Sequence, residues 1–223
     1  MHKHSLDLLH ARIAGRLLLT SCLALLVACT SLQPVKPQPI ATFSLDPDLS
    51  LVSVARSDAF TIAVSVPRAM PGFDTSRMAY VNKPLELSYF SRNQWVDAPA
   101  RMIAPHLVRA LERSGHFLAV VESPNSTVAD LRLDSELIRL QQDFTTNPSK
   151  VRLTLRAQVV DVAAGKVLGT REFDATEEAL SDDPYGGVIA ANKALARVLA
   201  PLAEFCGNVS TEKSKNTSSA QRH

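Results

Sequence analysis

The chain has 223 residues, with 24 Lys and Arg, 22 Asp and Glu, and 46% hydrophobic residues. That length suits one medium domain once targeting segments and tails are removed, and the composition excludes wholesale disorder, collagen-like and coiled-coil architecture. Three cysteines exclude a disulfide-stapled scaffold, no run is long and apolar enough for a membrane-spanning helix, and a net charge of +2 gives no electrostatic case for nucleic acid.

Residues 1–28 read as a signal peptide. Lys3, Arg12 and Arg16 precede an apolar stretch from Leu17 to Ala28, which is long enough for a signal core and too short to cross ~30 Å of hydrocarbon. The run ends in Leu26-Val27-Ala28-Cys29, which resembles a bacterial lipobox, with Cys29 the acylated first residue of the mature chain. Leu19-Thr20-Ser21-Cys22 fits the same loose pattern. Cleavage there would leave Arg16 within the signal core and strand Leu23 to Ala28 on the mature protein, so Cys29 is preferred. Removing residues 1–28 takes three bases and Asp7, and the mature chain becomes formally neutral. Cys206 is then a lone thiol, read as buried packing or as half of an intermolecular disulfide.

Residues 29–42 form a tether. Pro34, Pro37 and Pro39 favour extended polyproline II, which at ~3.1 Å per residue places the domain up to ~35 Å from a bilayer. The domain itself is expected over 43–206, and the polar, aperiodic stretch 207–223 reads as a disordered tail.

Inside the domain, Phe60, Ile62, Val64 and Val66 alternate with the small residues Thr61, Ala63 and Ser65 and predict a strand ended by Pro67. Met78 to Val81 and the Leu85, Leu87, Tyr89 alternation predict a hairpin around Asn82-Lys83-Pro84. Asp97 is a candidate N-cap for a helix with Ile103, Leu107, Ala110 and Leu111 on one stripe, stopped at Ser114-Gly115. A strand follows at Phe117–Val121. Leu131, Leu133 and Leu137 make another, whose phase slips at Ile138 and Leu140 and so predicts a bulge. Val151 to Val159 and Val167 to Thr176 read as a long hairpin closed near Gly165. Asp182-Asp183-Pro184 marks the start of a last helix with Val188, Leu195, Val198, Leu199 and Leu202 inward. Pro201 should kink that helix or end its regular part near Arg197. The order predicts an α+β fold, a mostly antiparallel sheet with two main helices packed on one face.

Catalytic and metal motifs are missing from the sequence. The mature chain has only His106, His116 and His223, without metal-ligand spacing, and neither a nucleophile elbow nor a phosphate loop. Ser114-Gly115-His116 and Asp182-Asp183 read better as caps than as catalytic groups. No catalytic residue, metal site or cofactor is expected. Tyr80, Tyr89 and Trp95 are candidates for a partner-contact patch, with core packing as their ordinary role.

In order along the chain stand the lipobox, Phe43-Ser44-Leu45, Val66-Pro67, Met78-Ala79-Tyr80, Tyr89, Trp95 ahead of the first helix, Phe173-Asp174-Ala175-Thr176, and Ala191-Asn192-Lys193-Ala194-Leu195. This series resembles the ABC-type transport auxiliary lipoprotein family. The resemblance implies a non-enzymatic lipoprotein anchored by acyl chains (palmitate among them) in the outer membrane and facing the periplasm. It also implies a periplasmic MCE-domain protein with its ABC permease and ATPase as partners, in a system that moves lipids or other hydrophobic molecules. A homo-oligomer stays open, and a general structural or assembly lipoprotein of the envelope is the alternative.

Overall fold

The computed structural model describes residues 38–49, 60–124 and 127–220. Cys29, expected to be lipidated, the expected signal segment 1–28 and most of the expected tether 29–42 lie outside these residues.

Among the described residues the architecture is α+β, with nine strands in one mostly antiparallel sheet and two helices. The strands are β1 (Ala41–Phe43), β2 (Thr61–Ser65), β3 (Arg68–Ala69), β4 (Arg77–Lys83), β5 (Glu86–Trp95), β6 (Ala119–Ser123), β7 (Leu131–Asp143), β8 (Lys150–Asp161) and β9 (Lys166–Glu178). The helices are α1 (Pro99–Ser114) and α2 (Pro184–Ala220). β7 is the spine. One edge pairs antiparallel with β8 from Leu131↔Asp161 to Asp143↔Lys150, and β9 extends that hairpin. The other edge is shared in turn by β2, β3 and β4, all parallel to β7. β6 flanks β2, and β5 then β1 flank β4.

Alternation divides the sheet into two faces. Leu131, Leu133 and Leu137 of β7, with Leu153, Leu155, Ala157 and Val159 of β8, are fully buried under the helices. The expected slip is a register shift between Leu137 and Arg139. Beyond it Leu140 and Gln142 turn inward, both 3% exposed. The Gln142 Nε2 donates to Ser149 Oγ at 3.0 Å and to the Asp183 carbonyl at 3.1 Å, which ties the start of α2 to the end of β7. A Cβ on Gly187 would lie 2.2 Å from Gln142 Oε1, so a side chain is excluded there.

α1 buries Ile103, Leu107, Ala110 and Leu111 completely, and Gly115 ends it with φ +73°. Its N-cap is Ala98, not Asp97. The Asp97 carboxylate instead takes the Ala98 N–H at 2.7 Å and the Arg101 Nε at 2.8 and 2.9 Å. That Arg101 pairing, with the Ala98 N–H, lowers the carboxyl to about 2. Asp183 behaves as expected for a cap, accepting the Gly186 N–H at 2.8 Å.

α2 does not end near Arg197 but continues through Pro201, and its last described turns run through the stretch expected to be a disordered tail. Pro201 lies on the exposed side, while Leu195, Val198, Leu199, Leu202, Ala203 and Cys206 continue one buried stripe across it. A helix-interior proline costs ~3 kcal/mol, and burying several leucine-sized side chains at ~1.5–3 kcal/mol each outweighs that. Gly207 is a notch and not a stop, since a Cβ there would meet the His116 ring at 2.4 Å. Val209 and Ser210 are buried beyond it, and Lys213 Nζ sits 2.9 Å from Asp161 Oδ2 and 5.0 Å from the Phe60 ring centroid. Cys206 is free and fully buried, and burial pushes its thiol up to about 12.

Two smaller differences concern strand ends. Val66 is half exposed just past β2. Leu85 lies in the β4–β5 turn and is fully exposed, although alternation had put it in the strand. Trp95 closes β5 ahead of the first helix.

Leu107→Ala and Leu199→Ala should each lower stability by ~2–5 kcal/mol in denaturant melts, because both sites are sealed on all sides. A loss below ~1 kcal/mol at both would show that the buried faces are wrong. The Lys213–Asp161 bond tests the helix end. Lys213 holds the Asp161 carboxyl below its ordinary value. The contribution is therefore present above ~pH 4 and lost as pH falls through the depressed value. Lys213→Ala should remove hydrogen-exchange protection from 207–220 at neutral pH and leave the sheet protected. Unchanged exchange in that stretch would mean the ion pair does not hold the helix end.

Candidate functional site

The sheet face away from the helices is open and charged. Across the three long strands, Glu172 of β9 pairs with Arg156 of β8, and Arg156 with Glu136 of β7. Arg152 lies 3.8 Å from Asp174, Lys150 lies 3.4 Å from Glu178, and Arg132 holds Asp134 at 2.8 Å. Asp134 also accepts the Ser65 hydroxyl at 2.8 Å, and a depression bounded by Arg68, Asp134, Glu136, Arg156 and Gln158 opens beside it. Hydrogen bonding to Arg132 lowers the Asp134 carboxyl. Opposite charges thus face one another across the strands, with the bases Lys150, Arg152 and Arg156 of β8 set against the acids Glu172, Asp174 and Glu178 of β9, as cross-strand pairing favours.

A second depression lies where the β4–β5 hairpin meets this face. Phe73, Val81, Leu87 and Ile138 supply its apolar part, with Arg139, Asp143 and Arg152 at its rim. The hairpin closes through Pro84-Leu85, and Leu85 has φ +70°. Gly or Asn ordinarily takes that position, and a leucine there costs roughly 1–2 kcal/mol. The opposite end of the sheet also exposes apolar side chains, Val128, Val162 and Val167.

The structure does not gather the three sequence-predicted aromatics into one patch. Trp95 is 4% exposed and belongs to the core. Tyr80 is half-buried, with its ring 4.5 Å from that of Phe90 and 6.0 Å from that of Phe144. Tyr89 donates its hydroxyl to the Gly72 carbonyl at 2.9 Å, under the Arg77 guanidinium at 3.9 Å. A bulge separates the tyrosines. Lys83 opposes Glu86, a register that would pair Tyr80 with Tyr89, but a shift between Val81 and Lys83 sets Tyr80 opposite Ser88 and Tyr89 opposite Ala79. Facing pairs share a side of the sheet, so the two rings point to opposite sides. The strained Leu85 is the feature sequence reading missed, because a proline at the first turn position suits both a type I turn, with negative φ at the next residue, and a type II turn, with positive φ.

The groups singled out for chemistry are spent on structure. Ser114 Oγ donates to the Leu111 carbonyl at 2.7 Å, and Asp182 takes the Ser149 N–H at 2.7 Å. Backbone N–H groups lower the carboxyls of Asp182 and Asp183. Among the described residues no group of three or more His, Cys, Asp and Glu is placed to hold a metal. The carboxyls of Asp97, Asp134, Asp161, Asp182 and Asp183 are held down by hydrogen bonds and the Cys206 thiol is pushed up by burial, so these groups are carried away from neutral pH. Among the described residues, no helix is long and apolar enough to cross a membrane.

Solved structures share this fold. A DUF330 protein of Xanthomonas campestris superposes with a TM-score of 0.72 at 20% identity, covering 78% of this chain and 99% of that one. A second, described as an uncharacterized protein, superposes with a TM-score of 0.60 at 12% identity, covering 76% of this chain and 99% of that one. No curated protein matches the chain. Residues 43–203 match the sequence model of the ABC-type transport auxiliary lipoprotein component, from the first strand to the buried stripe of the last helix, and the chain belongs to that family.

Proposed function

We propose that the mature protein is a non-enzymatic lipoprotein, held by acyl chains on Cys29 in the periplasmic leaflet of the outer membrane. In this reading it docks a periplasmic MCE-domain protein of an ABC-type system that moves lipids or other hydrophobic molecules. The observation that carries the reading is the division of the sheet. One face is filled by both helices, and the other presents ionised, mutually balanced side chains over three long strands. Such a face suits contact recognition by a complementary polar surface and offers no enclosed, desolvated cleft for turnover. The family match to a transport auxiliary component supports the same role. The apolar run ending in Ala28-Cys29 supports the anchor.

Two measurements test the parts separately. Cys29→Ser should block acylation and leave unprocessed precursor. A wild-type N-terminus that mass spectrometry places elsewhere, or an unacylated Cys29, would remove the anchor. For the partner, the mature protein should bind the MCE protein of its own organism. Arg156→Glu, which sets three acids side by side across the open face, should weaken that binding about tenfold, ~1.4 kcal/mol, with thermal stability retained. Binding unchanged by that variant would move the contact off this face, and a wild type with no affinity for any MCE protein of its organism would end the transport reading.

A further inference from the structure

We propose that the Pro84-Leu85 turn is a second membrane contact, dipping into the same leaflet that holds Cys29 and setting the domain hairpin-down on the bilayer. The inference rests on the reading that Cys29 is lipidated. Leu85 is fully exposed and adopts φ +70°, so both its solvation and its backbone are unfavourable in water. A backbone outlier that also displays an apolar side chain at a hairpin tip is explained when that side chain leaves water on binding. Pro84 and Leu87, 36% exposed, widen the apolar tip. Lys83 stands beside it, only loosely engaged with Glu86 at 3.9 Å, where a lipid phosphate can replace the carboxylate.

The direction of the tether selects the bilayer as the occupant. β1 runs parallel to β5, with Ala41 opposite Asn93, so the chain enters β1 from the side of the β4–β5 turn. From Asn93 back to the turn is about 25 Å of strand. The twelve residue steps from Cys29 to Ala41 allow a reach of up to ~37 Å at ~3.1 Å per residue, enough for Cys29 and Leu85 to meet one membrane plane. One leucine alone cannot hold a protein on a bilayer. A tether makes its insertion intramolecular, at an effective concentration in the millimolar range. The other end of the sheet, with Val162 and Val167 around the β8–β9 turn, lies on the order of 40 Å away along β8.

The test uses full-length, acylated mature protein on phosphatidylethanolamine–phosphatidylglycerol vesicles carrying a nitroxide in the acyl chain. A fluorophore is attached through Glu86→Cys or, as the control at the far end, through Ala164→Cys. Cys206 is fully buried and stays unlabelled. Flotation with the vesicles reads the anchor. Quenching of the probe reads the tip. Expected are full flotation of both proteins, at least twofold quenching at position 86, little at 164, and loss of the quenching with flotation kept in Leu85→Asp. Flotation with equal quenching at both positions, with stronger quenching at 164, or with quenching unaffected by Leu85→Asp overturns the tip contact and spares the anchor. No flotation overturns both.

Discussion

Both edges of β7 are occupied by other strands, and the bulge at Ile138 decides what each half of the strand can hold. A one-residue slip exchanges the two faces of a strand. Before the bulge, Leu131, Leu133 and Leu137 point to the helices; after it, Leu140 and Gln142 do. Without the slip, Arg139 and Gln141 would face the core and Leu140 the solvent. The slip also places Gln142 within reach of Ser149 and the Asp183 carbonyl, so the first turn of α2 is fixed by a buried amide. Gly187 keeps the space that this amide occupies. From that fixed start α2 lies along β8 and β9, with Phe205 edge-on to Phe173 at 5.9 Å between centroids. The open charged face is the other product of the same parity.

Much of this was legible because most of the long strands bury one face only. The alternations of β7 and β8, the slip at Ile138, the α1 stripe and Asp183 at the start of α2 all follow from local period and cap chemistry. What escaped depends on distant partners. Pro201 and Gly207 are breakers by local rules, yet the helix passes both because Val209 and Lys213 find the sheet and the His116 ring fills the notch at Gly207. Leu85 continued an apolar alternation that the turn had already interrupted. The aromatic patch failed for a related reason. A composition poor in aromatics draws the eye to Tyr80, Tyr89 and Trp95, but their facing is set by a bulge in β4–β5 pairing that no single-strand pattern contains.

The open face and the neutral mature charge belong to one physical argument. Where each acid lies beside a base, the fields cancel within a few ångströms, and at physiological ionic strength what remains decays over ~8 Å. A partner is then not steered from a distance and is recognised only at contact, by matching neighbouring rows of opposite sign. That costs association rate. A chain anchored as proposed would not need long-range steering, because the anchor would confine the search to the membrane surface. Confinement also gives orientation its value. A domain free to tumble on its tether would present the charged face to the periplasm only part of the time, whereas a fixed hairpin tip would hold β7 to β9 at one angle to the bilayer. A strained leucine at the tip, a parallel first strand that feeds the tether toward it, and a balanced polar face between the two ends are consistent with one another on those terms.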